Sequence, residues 1–146
     1  MVTINKLAFD DLMGLKLLYE DAFVGSLTNY TRMTEVYNEI NNLSTHIILV
    51  ARKDNKIVGS VMGVVCNELF GECLPFMVVE NVAVLNAYRR LGIAKQLMTE
   101  LEKQSKIKNC TAILFVSSAH RTGAHKLYES LGYGLDKVNG YRKRLK

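Results

Sequence analysis

Apolar positions along the chain recur with two periods, and the points where one gives way to the other divide it into elements. Val2 to Ala8 alternates like a short strand. Asp10 and Asp11 then stand as cap candidates before a helix whose buried face carries Leu12, Leu15 and Tyr19, broken at Gly25-Ser26. A second helix is predicted from Asn29 to Leu43, with Met33, Val36, Tyr37 and Ile40 as its apolar stripe. The segment from His46 to Asn67 reads as a hairpin whose two β-rich arms flank the turn pair Asp54-Asn55. After Gly71, Leu74 to Val84 is apolar enough for a strand buried on both faces.

The period then returns to helical. Ile93, Leu97, Met98 and Leu101 make the stripe of a helix from about Gly92 to Lys108. Ala112 to Ser118 reads as a buried strand. Thr122 to Leu131 reads as a helix with Ala124, Leu127, Tyr128 and Leu131 on one face, stopped by Gly132. The tail from Tyr133 is expected to form two strands around Asn139-Gly140. The order β-α-α-β-β-β-α-β-α-β-β predicts an α/β (α+β) three-layer sandwich with a mixed central sheet and flanking helices. The stretch from Val84 to Ala112 leaves room for a right-handed crossover between parallel strands.

Composition narrows this picture without redirecting it. The 146 residues suit one domain, 1–146, and there is no repeat, linker or low-complexity segment. The three cysteines have no CxxC spacing, so neither a disulfide framework nor a metal site is expected. No secretion signal and no apolar run of membrane length is evident, which points to the cytoplasm. The net charge of +5 suits an anionic ligand without demanding one.

The candidate chemistry sits where the apolar strand meets the third helix. A helix N-terminus leaves about four N–H groups without partners, and a Ser, Thr, Asp or Asn side chain commonly satisfies one. Here Arg89-Arg90-Leu91-Gly92 precede Ile93, and none can accept such a bond. Free donors at a positive dipole end form an anion site. Gly92 removes a side chain that would hold a ligand away, Ala94 keeps the next turn small, and Arg89, Arg90 and Lys95 add charge. The competing reading is a surface turn with solvated arginines. No GxxxxGK[ST] and no GxGxxG occurs, which sets aside a P-loop and a dinucleotide fingerprint.

"RRLGIA", Arg89 to Ala94, fits the [QR]-x-x-G-x-[GA] signature of the GNAT N-acetyltransferases, and "VENVAV" resembles the strand before it. "AHKLYESLGY", Ala124 to Tyr133, is similar to that family's second motif. The resemblance covers nearly the whole chain. It implies an acetyl-CoA-dependent acetyl transfer to an amine by direct attack, without a metal, a membrane or nucleic acid, and a homodimer as the family's expectation. By resemblance, the backbone of Val82, Ala83 and Val84 pairs with the pantetheine arm. The N–H groups of Arg90, Leu91, Gly92, Ile93, Ala94 and Lys95 hold the pyrophosphate, with Arg89 beside them. Arg121 stands where many members have a cofactor-binding asparagine, and Tyr128 matches the motif tyrosine. The acceptor is read as a small-molecule amine. "VENVAV" and the basic last strand also resemble glucosamine-6-phosphate acetyltransferases. The alternatives are a protein N-terminal or lysine acetyltransferase, and a non-catalytic acetyl-CoA-binding regulatory module.

Acetyl transfer needs a base for the amine, a donor for the oxygen that gains charge, and a proton for the leaving thiolate. Glu80 is the only charged residue from Leu74 to Leu85. On alternation it shares a face with Val78, Val82 and Val84, where burial would raise its pKa into the range of a base. Its other reading is to pair with a basic side chain or to orient the amine. Asn81 is expected on the opposite face, in a structural bond. Tyr128 is the candidate acid, against a plain core tyrosine. The Val82 N–H is the oxyanion donor if a bulge frees it. His120 and His125 read as cap or surface residues, His46 as inert and Cys110 as structural. Phe23, Tyr30 and Tyr37 lie either beside the family's acceptor site or in the core. The basic tail "YRKRLK" reads as a charged edge strand.

Overall fold

Asp54 and Asn55 both adopt positive φ, 50° and 62°, the left-handed pair that a two-residue hairpin turn requires. They join strands β2 (His46–Lys53) and β3 (Lys56–Cys66), which pair antiparallel along their length. The computed structural model describes residues 1–118 and 121–146, in two units, Met1–Leu114 and Phe115–Lys146.

In the first unit, β1 (Thr3–Lys6) lies on the outer side of β2. On the other side β3 pairs with β4 (Phe76–Val84), and β4 runs parallel to β5 (Ile113–Leu114). The result is a five-stranded mixed sheet in the order β1-β2-β3-β4-β5. Helices α1 (Leu12–Ala22) and α2 (Tyr30–Ile40) carry the apolar cluster of one face. There Leu7, Leu12, Leu15 and Leu18 meet Val50, Ile57 and Ala83, with Met33 and Tyr37 of α2 packed against them. Asp11 ends a short 3-10 turn before α1. Its carboxylate accepts the Ala8 N–H at 2.8 Å and pairs with Arg52 of β2. Asn29 caps α2 by accepting from the Arg32 N–H at 3.0 Å.

Helix α3 (Ile93–Ile107) covers the opposite face. Ile93, Leu97, Met98 and Leu101 are at most 2% exposed, so each contributes about 2 kcal/mol of apolar transfer. They approach closely because β3 has glycines beneath them. A Cβ on Gly59 would stand 2.9 Å from Ile93 Cγ2, and one on Gly63 2.7 Å from the Met77 sulfur. Helices on both faces of a mixed sheet make the expected three-layer α/β arrangement.

In the second unit α4 (Thr122–Ser130) closes with Gly132 at φ 94°. The Tyr133 N–H donates to the Tyr128 carbonyl and the Gly132 N–H to that of Glu129, which is a Schellman motif. The expected stripe is observed, with Tyr128 buried and Ala124, Leu127 and Leu131 half-buried.

Three expectations fail. The strand read over Ala112 to Ser118 is only Ile113–Leu114, and it is not buried, since Leu114 is 40% exposed. Nor is β4 buried on both faces: Met77, Val79 and Ala83 are buried, but Glu80 and Asn81 are exposed. The two tail strands are absent, so the element order ends at α4. Gly140 serves close packing, because a Cβ there would lie 2.5 Å from Val116 Cγ1. Leu135, Val138, Tyr141 and Leu145 are 70–93% exposed. Without a buried apolar face, a two-stranded ribbon has nothing to hold its register. Among the described residues, no helix is long and apolar enough to cross a membrane.

Candidate functional site

Strand β4 changes register midway. Glu80 pairs with Met62 and Ala83 with Ser60, so Asn81 and Val82 together face Val61. This is a β-bulge, and Asn81 occupies it at φ 55°. Asparagine is among the few residues other than glycine that take this conformation readily. The bulge also exchanges the faces of the strand. Val79 pairs with Gly63 on the α3 side, whereas Ala83, two pairs on, sits in the α1 cluster. Val84 returns to the α3 side opposite Gly59.

Simple alternation therefore misplaces the neighbours of Glu80. It shares its face with Val78, Met62, Ser60 and Ala83, not with Val84, and it is exposed rather than buried. Asn81 is corrected as well. It occupies the bulge itself, exposed and at positive φ, rather than facing the far side of a regular strand. The ladder with β5 covers only Met77 and Val78. From Val79 onward the outer edge of β4 has no strand partner among the described residues.

Beyond Val84, a 3-10 turn at Asn86–Tyr88 leads to the α3 N-terminus. Asp21 of α1 ties this turn down, its carboxylate accepting the Asn86 N–H at 2.7 Å. Gly92 is the N-cap of α3 at φ 77°, and no side chain caps the helix. Arg90, two residues earlier, also has positive φ, 63°. The first intrahelical bond runs from the Gln96 N–H to the Gly92 carbonyl at 3.1 Å. The N–H groups of Ile93, Ala94 and Lys95 are thus left without intrahelical acceptors at the positive end of the helix. A Cβ on Gly92 would meet nothing within 4 Å, so the space before these donors is open. Arg89, Arg90, Leu91 and Lys95 are exposed and Ala94 half-buried. None of the three cations is ion-paired among the described residues. The arrangement offers backbone donors and positive charge to an anion.

In the second unit Tyr128 is 7% exposed. Its ring stands edge-on to Phe115 at 4.5 Å between centroids and to Tyr133 at 6.4 Å. Burial pushes its phenol above the ordinary value, and the positive charge of Arg121, at the head of α4, partly offsets this. The hydroxyl has no hydrogen-bond partner among the described residues. The first unit thus gathers Glu80, Val82–Val84 and Arg89–Lys95 along one strand-to-helix junction, and the second holds Arg121 and Tyr128 together.

The remaining candidates fall elsewhere. His46 opens β2, its Nδ1 3.1 Å from the Thr45 hydroxyl. His125 is half-buried within α4, and His120 lies outside the described residues. Cys110 is a half-buried free thiol. Phe23, Tyr30 and Tyr37 pack against the α1 cluster. Sequence reasoning did not place the bulge at Asn81. The available signal was Asn81 itself, a residue favoured at positive φ inside an apolar strand.

Residues 14–133 match the sequence model of the acetyltransferase (GNAT) family. The chain is 26% identical over 98 residues to an aminoglycoside N(6')-acetyltransferase type 1 of Salmonella typhimurium, spanning 65% of this chain and 68% of that protein. Its fold is similar to that of glucosamine-6-phosphate N-acetyltransferase from Arabidopsis thaliana, with a TM-score of 0.85 and 20% identity over 100% of this chain and 99% of that one. It is similar also to AAC(6')-Iy solved in complex with the bisubstrate analog CoA-S-monomethyl-acetylneamine, with a TM-score of 0.80 and 22% identity over 99% of each chain.

Proposed function

The chain belongs to the acetyltransferase (GNAT) family and is an acyltransferase, and on that premise we propose that it carries the acetyl group of acetyl-CoA to a primary amine of a small molecule. The observation that carries this reading is the uncapped, open N-terminus of α3 directly after a strand whose edge beyond Val78 has no strand partner among the described residues. A pyrophosphate matches the first feature. An extended pantetheine arm, with its two amides, matches the second, at Val82 to Val84. The aminoglycoside N(6')-acetyltransferase relative supports a small amine as acceptor.

In the proposed reaction the amine attacks the thioester carbonyl directly. Glu80 takes the proton that the amine must lose, through water, which its exposure permits. The N–H of Val82, in the bulge, donates to the oxygen that gains charge. Tyr128 gives a proton to the departing thiolate. Residues 1–146 are read as one catalytic domain, with a cytoplasmic setting.

Replacing Glu80 by Gln tests the base. The rate at neutral pH is expected to fall while acetyl-CoA affinity stays within about twofold, on the order of 10²-fold for general-base catalysis. The loss should shrink at high pH, where amines deprotonate unaided. A variant that chiefly raises the acceptor KM assigns Glu80 to positioning. The function itself is tested by acetylation across amino sugars, aminoglycosides, polyamines and peptides, read as free thiol released. Turnover on an amino sugar or aminoglycoside is the expected result. Turnover on peptides alone makes the acceptor a protein, and tight acetyl-CoA binding without turnover on any amine makes the chain a binding module.

A further inference from the structure

Asp21 stands in the last turn of α1, one residue before its end. A carboxylate is unfavourable there, because the unpaired carbonyls make that end of a helix negative. No basic residue in that turn offsets it. Its partner is instead Asn86, 65 residues on, and the two residues exchange hydrogen bonds. The Asp21 carboxylate accepts the Asn86 N–H at 2.7 Å, and Asn86 Nδ2 donates to the Asp21 carbonyl at 3.0 Å. Each bond serves the end of an element. The first satisfies the leading N–H of the 3-10 turn Asn86–Tyr88, whose own cap residue, Leu85, offers no side-chain bond. The second satisfies one of the last carbonyls of α1, which lack intrahelical donors. Beside this clasp, Ala22 and Leu85 pack against the same apolar cluster.

The turn leads into the loop Arg89 to Gly92, which is held from its two ends. At the far end α3 anchors it through Ile93, 2% exposed. At the near end the Tyr88 N–H closes the turn on the Leu85 carbonyl at 2.8 Å, and the Leu85 N–H reaches the Val58 carbonyl of β3 at 2.9 Å. Between these ends Arg90 and Gly92 take positive φ. The ammonium groups of Lys53 and Lys56 lie over the Tyr88 ring, 5.8 and 5.9 Å from its centre. That is near the outer reach of such contacts, about 6 Å, and it restrains a ring rather than the backbone. We propose that Asp21 is a positioning residue for the anion cradle: through Asn86 it fixes where the chain leaves the sheet, and so holds the Arg89–Gly92 loop against the head of α3 for a bound pyrophosphate. The inference rests on the function proposed above. Asp21 itself touches no ligand in this role. Its clasp joins the end of α1 to the start of the cradle, which explains a carboxylate where the helix alone disfavours one.

Asp21→Ala should raise the dissociation constant of CoA on the order of tenfold, the worth of one hydrogen bond to a charged group. That of acetyl-pantetheine, which lacks the pyrophosphate, should change less than about twofold. Asp21→Asn keeps an oxygen for the Asn86 N–H and should bind CoA like wild type. The melting temperature of Asp21→Ala should stay near that of wild type, because removing a carboxylate from the negative helix end offsets the lost bond. Asn86→Pro has no N–H to hold, and Leu85, at φ -52° and ψ 137°, has the backbone that a following proline requires. In that background Asp21→Ala should cost nothing further. Amide hydrogen exchange at Tyr88, which needs no ligand, should quicken in Asp21→Ala and return to the wild-type rate in Asp21→Asn. Unchanged exchange at Tyr88, an equal loss of CoA and acetyl-pantetheine binding, or a failure of Asp21→Asn to restore them would overturn the inference. If the wild-type protein binds no CoA, the proposed function fails while the exchange measurement still decides whether Asp21 holds the turn.

Discussion

Gly92→Glu is expected to abolish the thermal stabilisation that acetyl-CoA gives the wild-type protein. A ligand at a hundred times its dissociation constant stabilises the folded state by about 2.7 kcal/mol. The proposed site for its pyrophosphate is the group of free donors at Ile93, Ala94 and Lys95. Gly92 stands at their entrance, with nothing within 4 Å of the position a Cβ would take. A glutamate there fills that space with bulk and places a carboxylate at the positive helix end, where it competes for the same donors. It also pays for positive φ at a residue with a side chain, at about 1 kcal/mol in the unliganded protein. Gly92→Ala carries that same backbone cost without the charge and separates the two effects. It should melt lower than wild type without ligand, yet gain part of the acetyl-CoA shift. The measurement is the melting temperature of the three proteins with and without acetyl-CoA, and with dephosphorylated pantetheine as the ligand that lacks the pyrophosphate. A full acetyl-CoA shift in Gly92→Glu would remove the pyrophosphate from this helix end.

Tyr128→Phe is expected to cost on the order of 10²-fold in kcat at almost no cost in stability. A thiol has a pKa of about 8.5, and the ordinary phenol value is 10.0, above which burial lifts Tyr128. At neutral pH the tyrosine therefore still holds its proton as the thiolate leaves. Phenylalanine keeps the ring, and with it the edge contacts to Phe115 and Tyr133. The hydroxyl has no partner among the described residues, so the loss should stay below the ~1 kcal/mol of a typical hydrogen bond. The pH dependence follows from the raised pKa. The folded protein holds this proton more tightly than the unfolded chain does. The stability it contributes is full below pH 10.0 and is lost as pH rises through the higher folded value. The rate should follow the same protonated form, so wild type should lose activity on that alkaline side and Tyr128→Phe should lack that limb. Full activity in Tyr128→Phe would return the residue to a packing role.

What the sequence determined by itself is whatever a short window of chain decides. The turn at Asp54-Asn55 follows from the φ preferences of two residues. The buried face of α3 follows from the spacing of Ile93, Leu97, Met98 and Leu101. The missing cap before Ile93 could be read because capping depends on which side chains precede a helix, and Arg89 to Gly92 include none that accepts. The Gly132 stop is local in the same way. Tertiary structure decided what depends on a partner far along the chain. The bulge at Asn81 and Val82 exists only in the register of β4 against β3, and it undid the face assigned to Glu80 because one extra residue reverses the alternation beyond it. The tail from Tyr133 has strand-like residues but no ladder and no buried face, and a strand is stable only with both.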